Sequence, residues 1–418
     1  MSKIKARSGT FTDNMKLPIH RWFRYSAGFS AEWVQSEIQK FEAENEEKAI
    51  VLDPFVGSGT TVFASSSMGN VACGFEGHPF VARIAKAKNL WHLDENVFNA
   101  ACQKVLSLAK EMNKKTARHN ESNLLGKCYD LDALSKLDNL RFAYESLSDD
   151  NPIWELVRLN ITSILRVCSK VGTAQWQYIL PNKTKSKVLD AYDAFLGKAT
   201  LMATDMKYVK SVNWLNTATI LERDVREPFE APKCNLLITS PPYPNNYDYA
   251  DATRLEMMFW EEIEGWGDLK TVVRPTIIRS CSQHSASDKI ILDEILNEPL
   301  LSPIVDELEP IVRNLEEIRL SKGGKKTYHT MIAAYFFDLA KIWKNCRTIM
   351  ANNSRICFVI GDSAPYGVHV PAEKWLGDLA IASGFESYEF EKIRDRNVKW
   401  KNRTHTVPLH EGRLWVRG

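Results

Sequence analysis

The tetrapeptide Ser-Pro-Pro-Tyr, residues 240–243, follows the apolar run Leu236–Ile238. Consecutive prolines fix the backbone and carry no amide donors, so carbonyl oxygens there can point outward as unpaired acceptors. The Ser240 hydroxyl and the Pro241 carbonyl could accept both hydrogens of a planar amine, and Tyr243 could stack on the ring that carries it. Taken alone, the segment would also fit a proline-rich strand end with a packing tyrosine. The candidate catalytic residues are Ser240, Pro241, Pro242 and Tyr243.

The chemistry that suits such a clamp is nucleophilic attack by a nucleobase amine. An exocyclic amine is a poor nucleophile because its lone pair is delocalised into the ring. Acceptors on both of its hydrogens favour a pyramidal nitrogen, and the freed lone pair can then attack a methyl group on a sulfonium.

A glycine turn earlier in the chain offers a site for the other reactant. The apolar run Ala49–Leu52 predicts a buried parallel strand, and it leads directly into Asp53-Pro-Phe-Val-Gly-Ser-Gly-Thr-Thr61. Two glycines permit backbone conformations closed to other residues and let a ligand approach the main chain. The sequence then predicts a short helix ended at Gly69, a strand Val71–Phe75 and, at its end, Glu76. This order is typical of a nucleoside site, in which a helix N-terminus faces the ligand and the carboxylate accepts from ribose hydroxyls.

The glycine turn by itself is only moderately specific, because a Gly-x-Gly after a strand is often just a tight turn. Neither a Gly-x-x-x-x-Gly-Lys-Ser/Thr loop nor a full Gly-x-Gly-x-x-Gly is present, which disfavours nucleotide triphosphatases and dehydrogenases.

Together, the two motifs resemble those of the S-adenosylmethionine-dependent amino methyltransferases of DNA, the N4-cytosine and N6-adenine family. Tyr25–Val34 resembles the family's N-terminal cofactor-covering motif, although an amphipathic helix start capped by Ser30 would also explain it. The resemblance implies S-adenosylmethionine as the cofactor, with Glu76 on the ribose and Asp224 on the adenine amine. The cofactor-binding residues that it implies are Tyr25, Phe29, Asp53, Phe55, Gly57, Gly59, Thr60, Glu76 and Asp224.

The resemblance also implies a fold and a reaction. The fold is α/β, a Rossmann-like class I methyltransferase with a mostly parallel seven-stranded sheet and a helical insertion domain. Serine before Pro-Pro-Tyr is the family's usual N4-cytosine form, so the expected substrate is the N4 amine of a cytosine flipped out of double-stranded DNA. The alternatives are N6-adenine methylation, an RNA amino methyltransferase, and a non-catalytic nucleic-acid-binding subunit. A restriction-modification or related defence system is the expected setting, with a cognate restriction endonuclease or defence-system subunits as candidate partners.

Composition agrees with this interpretation. The net charge of +2 argues against an electrostatic wrap of nucleic acid, so basic patches must be local. The eight cysteines show neither a Cys-x-x-Cys pair nor metal-ligand spacing, and we expect reduced, mostly buried thiols in a cytoplasmic protein without a metal site. The sequence shows no signal peptide and no apolar run of about 18 residues, so we expect no membrane association.

The chain of 418 residues exceeds one ordinary domain. Helical periodicity over Val97–Met112, Leu131–Leu147, Ile153–Cys168 and Ser186–Met206 is more than a simple crossover connection needs, which predicts an inserted helical domain. The predicted parts are an N-terminal, cofactor-binding part of the core (1–90), a helical insertion that is a candidate for target recognition (91–212), a catalytic part of the core (213–264), a second insertion that is a candidate for DNA contact (265–327) and a C-terminal part of the core (328–418).

Three segments combine lysines or arginines with amides or aromatic residues in a way that suits DNA, namely 172–187, 322–326 and 394–403. A solvated loop is an equally good explanation for each, because charge runs usually mark a surface. The candidate DNA-binding residues are Gln175, Trp176, Gln177, Lys183, Lys185, Lys187, Lys325, Lys326, Arg396, Lys399 and Lys401.

Overall fold

A mostly parallel sheet of seven strands organises the fold. The computed structural model describes residues 11–25, 28–173, 179–245, 247–323, 326–396 and 407–418. The strands in these ranges are β1 (Ile50–Asp53), β2 (Val71–Glu76), β3 (Val171–Thr173), β4 (Ile179–Thr184), β5 (Ala218–Glu222), β6 (Cys234–Thr239), β7 (Met350–Gly361), β8 (Ser387–Arg396) and β9 (Leu409–Arg417). The main sheet has the order β5-β2-β1-β6-β7-β9-β8, and β3 and β4 form a separate antiparallel hairpin.

Strand direction explains why distant motifs meet. β5, β2, β1, β6 and β7 pair in parallel, whereas β9 is antiparallel to both of its neighbours. β1 lies between β2 and β6, so Asp53, Glu76 and Thr239 end adjacent strands at one edge of the sheet. The carboxyl ends of parallel strands are where open α/β sheets bind ligands.

Helices cover the sheet and build the insertions. The α-helices in the described ranges are α1 (Ala31–Asn45), α2 (Thr60–Ser66), α3 (Pro79–Lys88), α4 (Glu95–Met112), α5 (Leu124–Cys128), α6 (Leu131–Leu147), α7 (Ile153–Ile164), α8 (Ala191–Ser211), α9 (Tyr249–Ala252), α10 (Arg254–Phe259), α11 (Leu269–Val272), α12 (Ser282–Ser287), α13 (Leu292–Leu296), α14 (Val305–Ser321), α15 (Tyr328–Ile349) and α16 (Ala372–Ala382). Short 3-10 helices occupy Phe11–Lys16, His20–Trp22, Asn89–His92, Trp266–Asp268, Arg274–Thr276, Pro299–Leu301 and Pro365–Gly367.

Two hydrophobic clusters lie on the two faces of the sheet. Alternate residues of β6 belong to different clusters, with Leu236 and Ile238 in the first and Leu237 in the second. Successive strand side chains point to opposite faces, so the clusters are the two sides of one sheet. The first cluster takes in α1, α2 and α3 together with α4, α6, α7 and α8, and the second takes in α14, α15 and α16.

The predicted Rossmann-like architecture with its seven-stranded sheet is confirmed. Of the long predicted helices, Leu131–Leu147 has the predicted bounds and the other three have shifted ends. Ile153–Cys168 ends at Ile164, and Ser186–Met206 is displaced to Ala191–Ser211. The hairpin of β3 and β4 inside the first insertion was not predicted, and neither was β8. β8 is an edge strand of mostly exposed, charged residues, so its sequence resembles a basic surface segment more than a strand.

Burial of the thiols was also anticipated. All eight cysteines are free and buried, as expected. Across the described ranges, no helix combines the length and the apolar character that crossing a bilayer requires.

Candidate active site

A cavity of about 610 Å³ opens at the carboxyl edge of the parallel strands. Most residues predicted from the two motifs and the N-terminal segment line it: Tyr25, Phe29, Asp53, Phe55, Gly57, Thr60, Glu76, Asp224, Ser240, Pro242 and Tyr243. Two predicted residues are not among those that line it. Gly59 is the N-cap of α2, and Pro241 is buried beside the tetrapeptide's other members.

The N-terminal segment combines both explanations that its sequence allowed. Ser30 caps α1, and its hydroxyl accepts from the main-chain nitrogen of Trp33 at 3.4 Å. Tyr25 and Phe29, just before the helix, are buried and still form part of the cavity wall. The capped helix therefore holds the covering segment against the site.

The glycine turn needs glycine for two physical reasons. Gly57 and Gly59 have φ values of +53° and +97°, a region that side chains disfavour. A β-carbon on Gly57 would lie 3.3 Å from the Tyr25 ring, and one on Gly59 would lie 2.2 Å from the Phe63 ring. The turn therefore packs directly against the covering segment on one side and α2 on the other.

Glu76 holds the glycine turn from the end of β2. One carboxylate oxygen accepts from the main-chain nitrogen of Gly57 and the other from that of His78, each at 2.9 Å. Burial raises the pKa of Glu76 to about 7, against these two hydrogen bonds, which favour the ionised form. A carboxylate held in this way faces the cavity with lone pairs left for a ligand's hydroxyl groups.

Asp53 ties the two motifs together. Its Oδ1 accepts from the Thr239 hydroxyl at 2.6 Å and from the main-chain nitrogen of Phe55 at 3.0 Å. Burial raises the pKa of Asp53 to about 6. The hydroxyl of Thr61 donates to the Ile238 carbonyl at 3.1 Å, which makes a second bridge between the turn and β6. The turn and the tetrapeptide are therefore fixed relative to each other by side chains of their own.

The Ser240 hydroxyl donates to the main-chain carbonyl of Val359 in β7 at 3.1 Å. The Ser240 side chain also hydrogen-bonds with that of Tyr243. While its hydrogen is donated to Val359, the Ser240 oxygen acts toward a ligand as an acceptor.

Tyr243 is nine-tenths buried, and burial raises the pKa of its hydroxyl, so the ring is neutral. The guanidinium of Arg396 lies 5.2 Å from the Tyr243 ring centroid and donates to the Asp362 carbonyl at 2.6 Å. Arg396 was predicted to contact DNA. In the structure it is partly buried and packs against the candidate catalytic tyrosine.

Asp224 follows β5 and lies in an ion-pair network. The guanidinium of Arg226 donates to both oxygens of its carboxylate, from Nε to Oδ1 at 2.9 Å and from Nη2 to Oδ2 at 2.7 Å. Arg226 also lies 3.4 Å from the buried carboxylate of Asp338 in α15. The network orients Asp224 toward the cavity that it lines.

Sequence reasoning missed several contributors to the site. Tyr249 lines the cavity, and its ring centroid lies 4.2 Å from that of Tyr247. Its position shortly after Ser-Pro-Pro-Tyr was a usable signal. Lys88 is fully buried and donates to the Ser58 carbonyl within the glycine turn at 2.8 Å, and burial lowers its pKa to about 7. Nothing in the sequence marked this lysine as buried.

His78 was also missed. It lines the cavity, and burial lowers its pKa to about 3, so the ring is neutral. Its Nε2 is 2.9 Å from the Thr253 hydroxyl, whereas its buried Nδ1 has no hydrogen-bond partner in the part of the chain that the structure describes.

The candidate DNA-binding residues are only partly within the described ranges. Gln175, Trp176, Gln177, Lys325, Lys399 and Lys401 lie outside them. Lys183 and Lys187 are exposed on and after β4, whereas the Lys185 ammonium turns inward to the Arg166 carbonyl. Lys326 is exposed, with its ammonium 5.9 Å from the Tyr328 ring centroid.

Comparisons with known proteins agree with the geometry. A family model described as DNA methylase, of the N6/N4 type, matches residues 9–87. Type II methyltransferase M.AvaI from Nostoc sp. (strain PCC 7120 / SAG 25.82 / UTEX 2576) is 24% identical over 412 residues, which cover 90% of this chain and 81% of the relative. Type II methyltransferase M.BsoBI from Geobacillus stearothermophilus is 23% identical over 437 residues, which cover 93% and 82%. No solved structure matches the chain.

The sheet order, the cavity and these relatives together define a class of enzyme, the Rossmann-like methyltransferases. The family model and the relatives support the amino methyltransferases of DNA, the N4-cytosine and N6-adenine family, as the family that this chain resembles. Enzymes of this family take S-adenosylmethionine as methyl donor. The site suits that cofactor, because a glycine cradle and the carboxylates of Glu76 and Asp224 surround one cavity. His78 Nδ1, which has no partner among the described residues, lies there too.

Proposed function

We propose that this DNA methyltransferase modifies the N4 amine of cytosine. The observation that carries the proposal is the tetrapeptide at the end of β6, whose serine donates to the Val359 carbonyl and so would offer its oxygen to the target amine as an acceptor. Serine at this position is the family's usual N4-cytosine form, which favours cytosine over adenine. A flipped base would enter beside Tyr243, since its amine is inaccessible within the stacked duplex.

The proposed roles divide between the two motifs. Tyr25, Phe29, Asp53, Phe55, Gly57, Gly59, Thr60, Glu76 and Asp224 would hold S-adenosylmethionine, which when bound supplies an electrophilic methyl group. Glu76 would accept from the ribose hydroxyls and Asp224 from the adenine amine. The hydrogen bond from the Gly57 amide to Glu76 supports its assignment, because the same carboxylate then orients both the turn and the ligand.

On the substrate side, Ser240 Oγ and the Pro241 carbonyl would take the two amine hydrogens, and Tyr243 would stack on the base. Base–aromatic stacking is worth about 1–3 kcal/mol per base. Pro242 stiffens the backbone that presents these groups. The protein's contribution to a direct displacement of this kind is mainly positioning.

The biological setting is proposed from the relatives. Both are Type II methyltransferases, so we assign this chain a place in a restriction-modification system, acting on double-stranded DNA in the cytoplasm and protecting it from a cognate endonuclease. The insertion spanning 91–212 is the proposed recognition domain, because the catalytic core does not require it and the exposed Lys183 and Lys187 lie in it. Gln175, Trp176 and Gln177 are its proposed base contacts.

Single-base methylation mapping tests the proposal. The chain is expressed in a host that lacks DNA methyltransferases of its own, and genomic DNA is mapped for N4-methylcytosine and N6-methyladenine. We expect N4-methylcytosine at one short sequence motif, and none in cells that express Tyr243→Ala. N6-methyladenine in its place would keep the site and reverse the base assignment, and an unmodified genome with folded protein would contradict the DNA substrate.

A further inference from the structure

One wall of the cavity comes from the second insertion. The segment Arg274–Ser280, hereafter the strap, lies between α11 and α12. Its residues Thr276, Ile277, Ile278 and Ser280 line the cavity beside Glu76 and Asp224. Neither sequence motif contains the strap, and the sequence suggested DNA contact for this part of the chain.

The strap touches the main chain immediately after Glu76. A β-carbon on Gly77 would lie 2.1 Å from the Thr276 carbonyl oxygen and 3.7 Å from Cγ2 of Ile277. The requirement for glycine here comes from space, because Gly77 is not among the residues with positive φ. Any side chain at position 77 would therefore displace the strap from the cavity.

Buried ion pairs hold both ends of the strap to the core. Arg274 is buried and donates to Asp248 at 2.9 Å, and its guanidinium lies 4.6 Å from the Trp266 ring centroid. At the other end, the main-chain nitrogen and Nε of Arg279 each lie 3.0 Å from Oδ2 of Asp338. Both arginines of the strap are therefore engaged within the protein.

The same network joins the strap to Asp224. Arg226, which chelates Asp224, also donates to the main-chain carbonyl of Pro275. The strap is thus fixed between the carboxylate proposed for the ribose, through Gly77, and the carboxylate proposed for the adenine amine, through Arg226.

The strap's two isoleucines extend the hydrophobic clusters to the cavity. Ile278 is 3% exposed and belongs to the cluster of α14, α15 and α16, and Ile277 is half-buried and packs against the other cluster. An apolar side chain that is only half-covered by protein, in the wall of a nucleoside-sized cavity, suits the face of a purine ring.

We infer that the strap is the adenine-facing wall of the S-adenosylmethionine site, with Ile277 as the side chain that packs on the purine. The inference rests on the proposed cofactor site and adds an element to it. In this chain the residue after the ribose-binding acid is glycine, and the strap occupies the space that a side chain there would fill. The second insertion thus completes the cofactor site.

Calorimetric titration with S-adenosylhomocysteine and with adenosine tests the strap. Gly77→Ala should bind S-adenosylhomocysteine at least about tenfold more weakly, since the added methyl group collides with the Thr276 carbonyl. Ile277→Ala should weaken both ligands by a similar factor of about 5- to 30-fold, because the lost contact is to their shared nucleoside. Ile277→Leu should recover most of that loss. Gly267→Ala is the matched control, because a β-carbon on this glycine of the same insertion meets nothing within 4 Å.

The outcomes separate the strap from the site on which it depends. If the wild-type protein binds S-adenosylhomocysteine and both folded variants bind it equally well, the strap is not the adenine wall, and the cofactor site stands. A loss confined to S-adenosylhomocysteine in Ile277→Ala, with adenosine unaffected, would also overturn the assignment. If the wild-type protein binds neither ligand, the proposed cofactor site fails, and the strap's role fails with it. Thermal unfolding of each variant establishes that it is folded.

Discussion

Replacing Glu76 with glutamine probes the centre of the proposed cofactor site. The side chain keeps its shape, but an amide has only one oxygen to offer where the carboxylate has two. Both carboxylate oxygens are in use, one on the Gly57 amide and one on the His78 amide. One of these buried donors would therefore face an NH₂ group, and the ribose would lose a charged acceptor. Hydrogen bonds to charged groups are worth about 1.5–3 kcal/mol, so S-adenosylhomocysteine should bind roughly 10- to 150-fold more weakly at pH 8.

The same carboxylate gives the wild-type protein a pH dependence of known sign. The pKa of Glu76 without ligand is about 7, and the ionised form is the better acceptor for ribose hydroxyls. Binding therefore favours the deprotonated state, and affinity should rise as pH increases through 7 and level off above it. The Glu76 carboxyl group is protonated in about nine molecules in ten at pH 6 and in about one in ten at pH 8. Because the ligand binds the deprotonated form better, its affinity should be about tenfold weaker at pH 6 than at pH 8.

Isothermal titration of S-adenosylhomocysteine between pH 6 and 8.5 measures both effects. In Glu76→Gln the affinity should be low and nearly independent of pH, since glutamine does not titrate. Burial also raises the pKa of Asp53, to about 6. Any change in affinity caused by titration of Asp53 near pH 6 would therefore be the same in the wild-type and Glu76→Gln proteins. Wild-type affinity that stays flat or falls from pH 6 to 8, or a folded Glu76→Gln protein with unchanged affinity at pH 8, would refute the assignment.

Three further predictions concern other parts of the site. Tyr243→Ala should keep cofactor affinity and lower single-turnover methylation by at least about tenfold, with Tyr243→Phe near normal because stacking requires only the ring; an active Tyr243→Ala would contradict the clamp. Lys88→Met removes the donor to the Ser58 carbonyl and should weaken S-adenosylhomocysteine about fivefold or more in calorimetry, whereas the exposed neighbour Lys86→Met should not. Replacing Lys183 and Lys187 with alanine should lower DNA affinity alike for all sequences and reduce its salt dependence in filter binding, and an unchanged salt slope would place the DNA contacts elsewhere.

The sequence determined those parts of the site that short stretches encode. An apolar run ending in Asp53 and two glycines, a second run ending in Glu76 and a third ending in Ser-Pro-Pro-Tyr each specify a strand together with the polar residues at its carboxyl end. Because parallel strands end at one edge, their order was enough to predict that these residues would share a cavity. Long helices were equally predictable from the sequence, because α15 has a continuous apolar periodicity that is typical of a helix.

Charged residues were the least predictable, because charge alone does not say whether a side chain meets solvent or a buried partner. The second insertion was a candidate for DNA contact, yet its Arg274 and Arg279 are paired with the carboxylates of Asp248 and Asp338. Arg396 stood at the start of a basic segment, but it lies in an edge strand and packs on Tyr243. In each case the partner lies on another element of the fold, and the local sequence pattern around the arginine does not indicate it.

Only the tertiary structure decided how the separate pieces complete one another. The hydrogen bonds from Thr239 to Asp53 and from Ser240 to Val359 join residues that are more than a hundred positions apart in the chain. The contact between Gly77 and Thr276 makes an insertion part of the cofactor cavity. The sequence by itself determined which residues end the strands, because that information is local. The distances between those residues, and the position of the strap, come from packing between segments that are far apart in the chain. The free-energy cost of closing a loop depends only weakly on its length, so the sequence separation of two segments does not indicate whether they will be in contact.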